Sequence, residues 1–344
     1  MTNYRILADL GPFAEFEESG ESPTGQDLKR LYSQGGVTVD GHMERVVGSK
    51  RDPKKFQDFT SYLTKRQGTY LFGSLALDLE GSGRGKISLP FKAAVSLDPE
   101  FGGYEAQTTG DCVSHSTRNA GMLDYCVDVL RGETDYKGRF ATENIYGYRG
   151  HGGQGASCSR LADYVAPDGP GGFLVRKKYS SVDLSVYNSR IGHNWGRRGT
   201  PDSVNKEADD NKAQTIALVT NTDEACDAIA NGYGISVCSD HGFNGDRGRF
   251  GVAQRRGSWS HAMAWVGCID DPDNEAYRHY DGRLFLVQNS WGSNWQGGPT
   301  YMDQPPGSFW ITERTAQQMI NARGSWVISR VDGINRRDLS YVLI

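Results

Sequence analysis

The chain has 344 residues, is 37 % hydrophobic and 23 % charged, and carries a formal net charge of −4. It can bury a core of one large domain or two modest ones, and it lacks the basic excess of a nucleic-acid binder. No stretch approaches the roughly 20 apolar residues that span a bilayer. The basic clusters at 176–178 and 255–256 read as solvated surface.

In chain order, residues 11–28 are acidic and rich in Gly, Ser and Pro and predict an extended segment. The first residues carry charges where a secretory signal peptide has its apolar core. Residues 53–66 place Phe56, Phe59, Tyr62 and Leu63 on one helical face, with Asp52 as cap and Pro53 in the first turn. Residues 70–79 read as a strand, and the glycine-rich run at 81–85 as a boundary. From Gly110 the pattern turns helical. Asp111 can cap a helix opening at Cys112 and carrying Val113, Leu123, Cys126, Val127 and Leu130, with its end near 132–133. A second short helix is expected at 156–165, a long polar loop at 192–214, and a helix at 223–231. Beyond that, β-rich runs alternate with Gly turns up to 331. Helices followed by strands predict an α+β fold.

Cys112, His261 and Asn289 follow one another in the order that a thiol nucleophile, its base and the base's orienter require. A thiol with a pKa near ~8.5 is mostly protonated at neutral pH. The N-terminal end of a helix and an adjacent imidazole both lower that value. Asp111 opposes them unless its carboxylate turns away to cap the helix. The six cysteines, at 112, 126, 158, 226, 238 and 268, form no CysXXCys pair and no zinc pattern. With Cys112 set aside, five remain, an odd number for a disulfide framework. Reduced thiols in a cytoplasmic or otherwise reducing compartment are therefore expected, with Cys126, Cys238 and Cys268 as small buried hydrophobes. His115, His151, His193, His241 and His279 show no partner set in the sequence, and no metal or other cofactor is implied.

Four patches, taken in order, resemble the papain-like cysteine peptidases. They are GlnThrThrGlyAspCys at 107–112, GlyHisGlyGlyGlnGlyAla at 150–156, the helix-and-strand run at 223–237, and the pair SerHisAlaMet at 260–263 and AsnSerTrpGlySerAsnTrp at 289–295. The likeness covers about residues 100–331. It implies a two-lobed fold, with a helical lobe (about 100–205) carrying the nucleophile and a β-barrel-like lobe (about 206–331) carrying His and Asn. Residues 1–95 would be an N-terminal extension, 96–331 the peptidase domain and 332–344 a C-terminal tail.

The resemblance implies roles for particular residues. Cys112 is the nucleophile, His261 the base, Asn289 its orienter, and Gln107 an oxyanion donor. Gly152 and Gly153 would pair with substrate backbone, Trp259 would wall the specificity pocket, and Trp291, with Trp295 behind it, would roof the His–Asn bond. The chain departs from the family pattern in several places. Gln107 stands five residues before Cys112, one fewer than usual, and Val113 replaces an aromatic. Thr109 and Gly150 replace the cysteines of a family disulfide. The polar stretch 270–281 reads as a loop insertion before Asn289. The activity implied is a cysteine-type endopeptidase acting on protein or peptide substrates. An alternative keeps the fold, active or silent, as a component of a larger assembly such as a virus particle. A third, acyl transfer by a transglutaminase or amidase, fits the AsnSerTrp run poorly. The extension is expected to dock through Phe56, Phe59 and Tyr62 and leave the cleft between Cys112 and His261 open.

Overall fold

A computed structural model describes residues 69–101, 105–322 and 324–339, together with short strands at 5–6, 16–17, 37–39, 42–44 and 49–50. The predicted helix at 53–66 lies outside the described residues.

The helical part is organised by helices α1 (Phe91–Leu97), α2 (Cys112–Leu130), α3 (Glu143–Gly147), α4 (Cys158–Val165), α5 (Ser189–Trp195) and α6 (Asp202–Ala208). Helix α2 is buried along almost its whole length, from Cys112 to Asp128. Its small residues make that burial possible. A Cβ on Gly121 would lie 2.6 Å from the Phe173 ring, so glycine lets the ring lie against the helix. Gly234, just before the central strand that opens at Ile235, does the same for backbone: a Cβ there would lie 2.6 Å from Ala120 Cα.

Eight strands form one sheet: β1 (Thr69–Leu71), β2 (Ile87–Ser88), β3 (Thr215–Leu218), β4 (Ile235–Arg247), β5 (Ala253–Ile269), β6 (Leu284–Gln288), β7 (Ser308–Thr312) and β8 (Ser325–Ser329). Their order is β7-β6-β5-β4-β8-β3-β1, with β2 paired to the end of β5. Side chains alternate between faces along a strand, and two cores result. One core takes Ala262, Ala264, Leu284, Leu286, Trp310, Trp326 and Ile328 and packs on α2. The other takes Met263, Trp265, Phe285, Val287, Phe309, Ile311 and Val327, covered by α7 (Thr222–Ala230) and α9 (Glu313–Ile320). A register shift between Trp265 and Gly267 changes the alternation, so that Cys268 faces the second core. Helices and a largely antiparallel sheet give the α+β class that the sequence predicts.

Three expectations are corrected. Residues 70–79 are a strand only as far as Leu71. A helical turn (Phe72–Leu75) and a 3₁₀ turn (Leu77–Leu79) follow, because Phe72 and Leu79 are drawn into the second core. The polar run 192–214 is not one loop. It contains most of α5 and all of α6, held by few apolar contacts such as Val204 and Ala208. The insertion at 270–281 contains helix α8 (Glu275–Tyr280), whose first turn is capped by the Asn274 side chain. Among the described residues no helix is long and apolar enough to cross a membrane. The glycine run at 81–85 is docked, with Gly81 N and Gly83 N both donating to the Asp227 carboxylate. Residues 332–339 are anchored as well: Arg337 pairs with Asp124 and Asp128, and its N–H donates to Asn231.

The cysteines depart from the sequence reading. Cys158, which opens α4, and Cys238, in β4, form a disulfide with their Cα atoms 6.4 Å apart. Cys112, Cys126, Cys226 and Cys268 are outside any disulfide and buried. Eighty residues separate the bonded pair, so no local spacing could reveal it; only the packing of α4 against β4 brings the two together. Cys126 keeps its assigned role, since burial pushes its thiol pKa up and holds it neutral.

Candidate active site

The loop from 105 to 111 leads into α2 and places Cys112 as the first residue of the helix, at its positive end. Helix α2 packs across β4 and β5. His261 lies in β5, opposite Ser239 of β4. In the β5–β6 register Ala264 faces Gln288, so Asn289, one residue further on, is a diagonal neighbour of His261. His261 Nε2 lies 2.8 Å from Asn289 Oδ1. The same Oδ1 accepts from the backbone N–H of Ser290 at 2.7 Å, which identifies it as the oxygen. An oxygen can only accept, so Nε2 must carry the hydrogen and donate it. The proton that comes and goes is therefore the one on Nδ1.

Ser290 links the two halves of the site. Its carbonyl accepts from Gln107 N at 2.8 Å, and its hydroxyl donates to Gln107 Oε1. Gln107 Nε2 donates one hydrogen to Thr109 O. The glycine segment is tied to the same loop. Gln154 Oε1 accepts from Thr109 Oγ1 and Gly110 N, each at 2.6 Å, and Gly155 N donates to Gly110 O. Gly152 and Gly153 beside it are exposed. The sequence singled out neither Ser290 nor Gln154, although both stand inside matched patches.

Trp291 lies against the His261 ring with centroids 4.7 Å apart and an interplanar angle of 31°. Trp295 crosses Trp291 edge-on and donates to Gly307 O. Trp259 is 7 % exposed and packs among Phe243, Trp291 and Trp295. Cys112, His261 and Asn289 have no exposed surface at all. The expected docking of the extension through Phe56, Phe59 and Tyr62 lies outside the described residues.

The Asp111 side chain does not cap the helix. Its Oδ2 accepts from Tyr187 OH at 2.7 Å and lies 3.5 Å from His115 Nε2. Burial and the carboxylate hold the Tyr187 hydroxyl pKa well up, so it stays a donor. Arg118 NH2 lies 3.3 Å from His115 Nδ1. A guanidinium only donates, so Nδ1 accepts and the His115 hydrogen sits on Nε2, toward Asp111. His115 therefore has partners that its sequence position did not suggest.

Arg176, read from sequence as surface, is half-buried here. Its Nε meets Glu105 Oε1 at 2.6 Å and its NH1 meets Glu143 Oε1 at 3.1 Å, while Arg118 NH1 meets Glu105 Oε2 at 2.7 Å. Burial alone would raise the Glu105 pKa, but the two guanidiniums hold it at about 2. The unfolded carboxyl titrates higher, so the unfolded chain binds more protons between the two values. Stability from Glu105 is expected to be present above pH 4.5 and lost as pH falls toward 2. Glu105→Gln should cost roughly 3–5 kcal/mol by leaving buried guanidiniums underpaired. It should also flatten the acid limb of a melting-temperature profile; an unchanged profile would remove Glu105 from this role.

No family model and no curated protein matches the chain. Several solved cysteine proteases are similar in structure. Xylellain, a cysteine protease from Xylella fastidiosa, matches at 17 % identity and a TM-score of 0.47, over 70 % of this chain and 89 % of that one. Digestive procathepsin L 3 from the larval midgut of Tenebrio molitor matches at 13 % identity and 0.44, over 90 % and 100 %. The proform of the ragweed pollen cysteine protease Amb a 11 matches at 16 % and 0.44, over 71 % and 65 %.

Proposed function

We propose that the chain is a cysteine-type endopeptidase working through Cys112, His261 and Asn289. The observation that carries this is the His261 Nε2–Asn289 Oδ1 bond, with Oδ1 fixed by Ser290 N. It orients an imidazole so that Nδ1 is left to take a proton, in the strand on which the Cys112 helix packs. The Cys112 thiolate attacks the scissile carbonyl carbon, and the C–N bond breaks as His261 delivers the proton to the leaving amine. Water activated by the same imidazole then hydrolyses the thioester. Trp291 keeps bulk water off the His–Asn bond. Gly152 and Gly153, exposed and without side chains, leave room for an extended peptide backbone to pair.

Gln107 has one amide hydrogen given to Thr109 and the other to offer to the oxyanion, alongside the Cys112 backbone N–H. Gln107→Ala is expected to lower kcat by roughly 10²–10³-fold, with KM changed little. A loss confined to KM would place Gln107 in substrate binding instead.

Incubation with a mixed peptide library, before and after limited proteolysis of the chain, tests the activity. Cleavage products that vanish on thiol alkylation are expected. Absence of cleavage under both conditions contradicts the reading.

A further inference from the structure

With Cys112 set aside the sequence left five cysteines, and the Cys158–Cys238 bond leaves Cys126, Cys226 and Cys268 outside it, two of which meet. Cys226 lies in α7 and Cys268 near the end of β5, and their sulfurs are 3.1 Å apart. That is about 1 Å beyond a covalent S–S bond. The register shift between Trp265 and Gly267 brings this about, because it turns Cys268 to the face on which α7 packs. Both side chains are buried. The turn at 81–83 closes over them. Its Gly83 carbonyl lies 3.6 Å from Cys226 Sγ, and a Cβ on Gly83 would stand 2.7 Å from that sulfur. Asp227, the next residue of α7, fastens the same turn by accepting from Gly81 N and Gly83 N.

We propose that Cys226 and Cys268 form a second disulfide, made under the conditions that close Cys158–Cys238. The bond would tie α7 to β5, the strand that carries His261, beneath the docked turn. Its formation needs an oxidant, here a small-molecule disulfide such as oxidised glutathione. The thiolate of Cys226 attacks one sulfur of that molecule and expels the other as a thiolate, giving a mixed disulfide. Cys268, deprotonated, attacks Cys226 Sγ and expels the second small thiol. Two protons and two electrons leave the protein, and the small disulfide is reduced to two thiols. Burial pushes the Cys268 thiol pKa well up, which slows attack in the closed protein. The exchange therefore belongs to folding, before the 81–83 turn seats. With two disulfides, the six cysteines divide into two bonded pairs, the nucleophile candidate Cys112 and the inert Cys126.

The full chain, unfolded and then refolded in reduced and oxidised glutathione, tests this. It is denatured in an alkylating reagent, digested without reductant and mapped by mass. The expected map contains a Cys226–Cys268 linked peptide beside Cys158–Cys238, with neither Cys226 nor Cys268 alkylated. Alkylated Cys226 and Cys268, or either one linked to a different cysteine, overturns the proposal. The map reads cysteine positions only, so it stands or falls independently of peptidase activity.

Discussion

Cys112→Ala is expected to abolish peptide turnover while the chain still folds. The substitution removes one sulfur from the first turn of α2 and leaves the helix residues behind it in place. The side chain is fully buried, so some packing is lost, about 1 kcal/mol, the usual size of a single substitution. That is small against a domain stability of about 5–15 kcal/mol. Nothing else in the site can replace the thiol. Cys126 is held neutral by burial, and Cys158 is bonded to Cys238. Turnover of a fluorogenic peptide, measured beside a thermal melt, checks both halves. Activity surviving in a folded Cys112→Ala variant would mean that the nucleophile is elsewhere.

The second large effect is a division of labour between His261 and Asn289. His261 moves the proton, and its replacement by alanine should lower kcat/KM by roughly 10³–10⁴-fold. Asn289 only orients the ring. Asn289→Ala should cost no more than about 10²-fold, the scale of a misplaced reacting group. It should, however, destabilise the protein noticeably. Two buried donors, His261 Nε2–H and Ser290 N–H, lose the acceptor they share, at about 1–3 kcal/mol each. The two variants are thus expected to rank in opposite order to what a purely structural role for both would give. Equal activity losses at equal melting temperature would sink this assignment.

What could be read from the sequence was what is local or periodic. The helix from Cys112 shows in its apolar spacing, and the helix expected at 223–231 is α7, one residue earlier at each end. The runs at 284–288, 308–312 and 325–329 are short, apolar and bounded by turn residues, and each is a strand. The His261–Asn289 pair was legible because its two motifs are compact and lie in neighbouring strands. What escaped depends on distant parts of the chain meeting. Glu105, Arg118, Glu143 and Arg176 look like ordinary charged residues until α2, α3 and the 105–111 loop bury them together. Asp111 looked like a helix cap because its position is right, but Tyr187, 76 residues away, offers its side chain a better donor. The Cys158–Cys238 bond and the Cys226–Cys268 contact need the tertiary packing of α4 on β4 and of α7 on β5. The turn at 72–79 contains enough apolar residues for a strand, and only the second core decides that it coils instead.

The most direct measurement of the central claim is the mapping of a peptidyl epoxide that alkylates activated thiols. Treated at neutral pH, the intact chain is expected to gain a single adduct, located on Cys112. The same treatment should label His261→Ala far more slowly, because the thiolate then lacks its imidazolium partner. Labelling of Cys112 at the same rate in both proteins would contradict a Cys112–His261 pair, as would an adduct on any other cysteine or none at all.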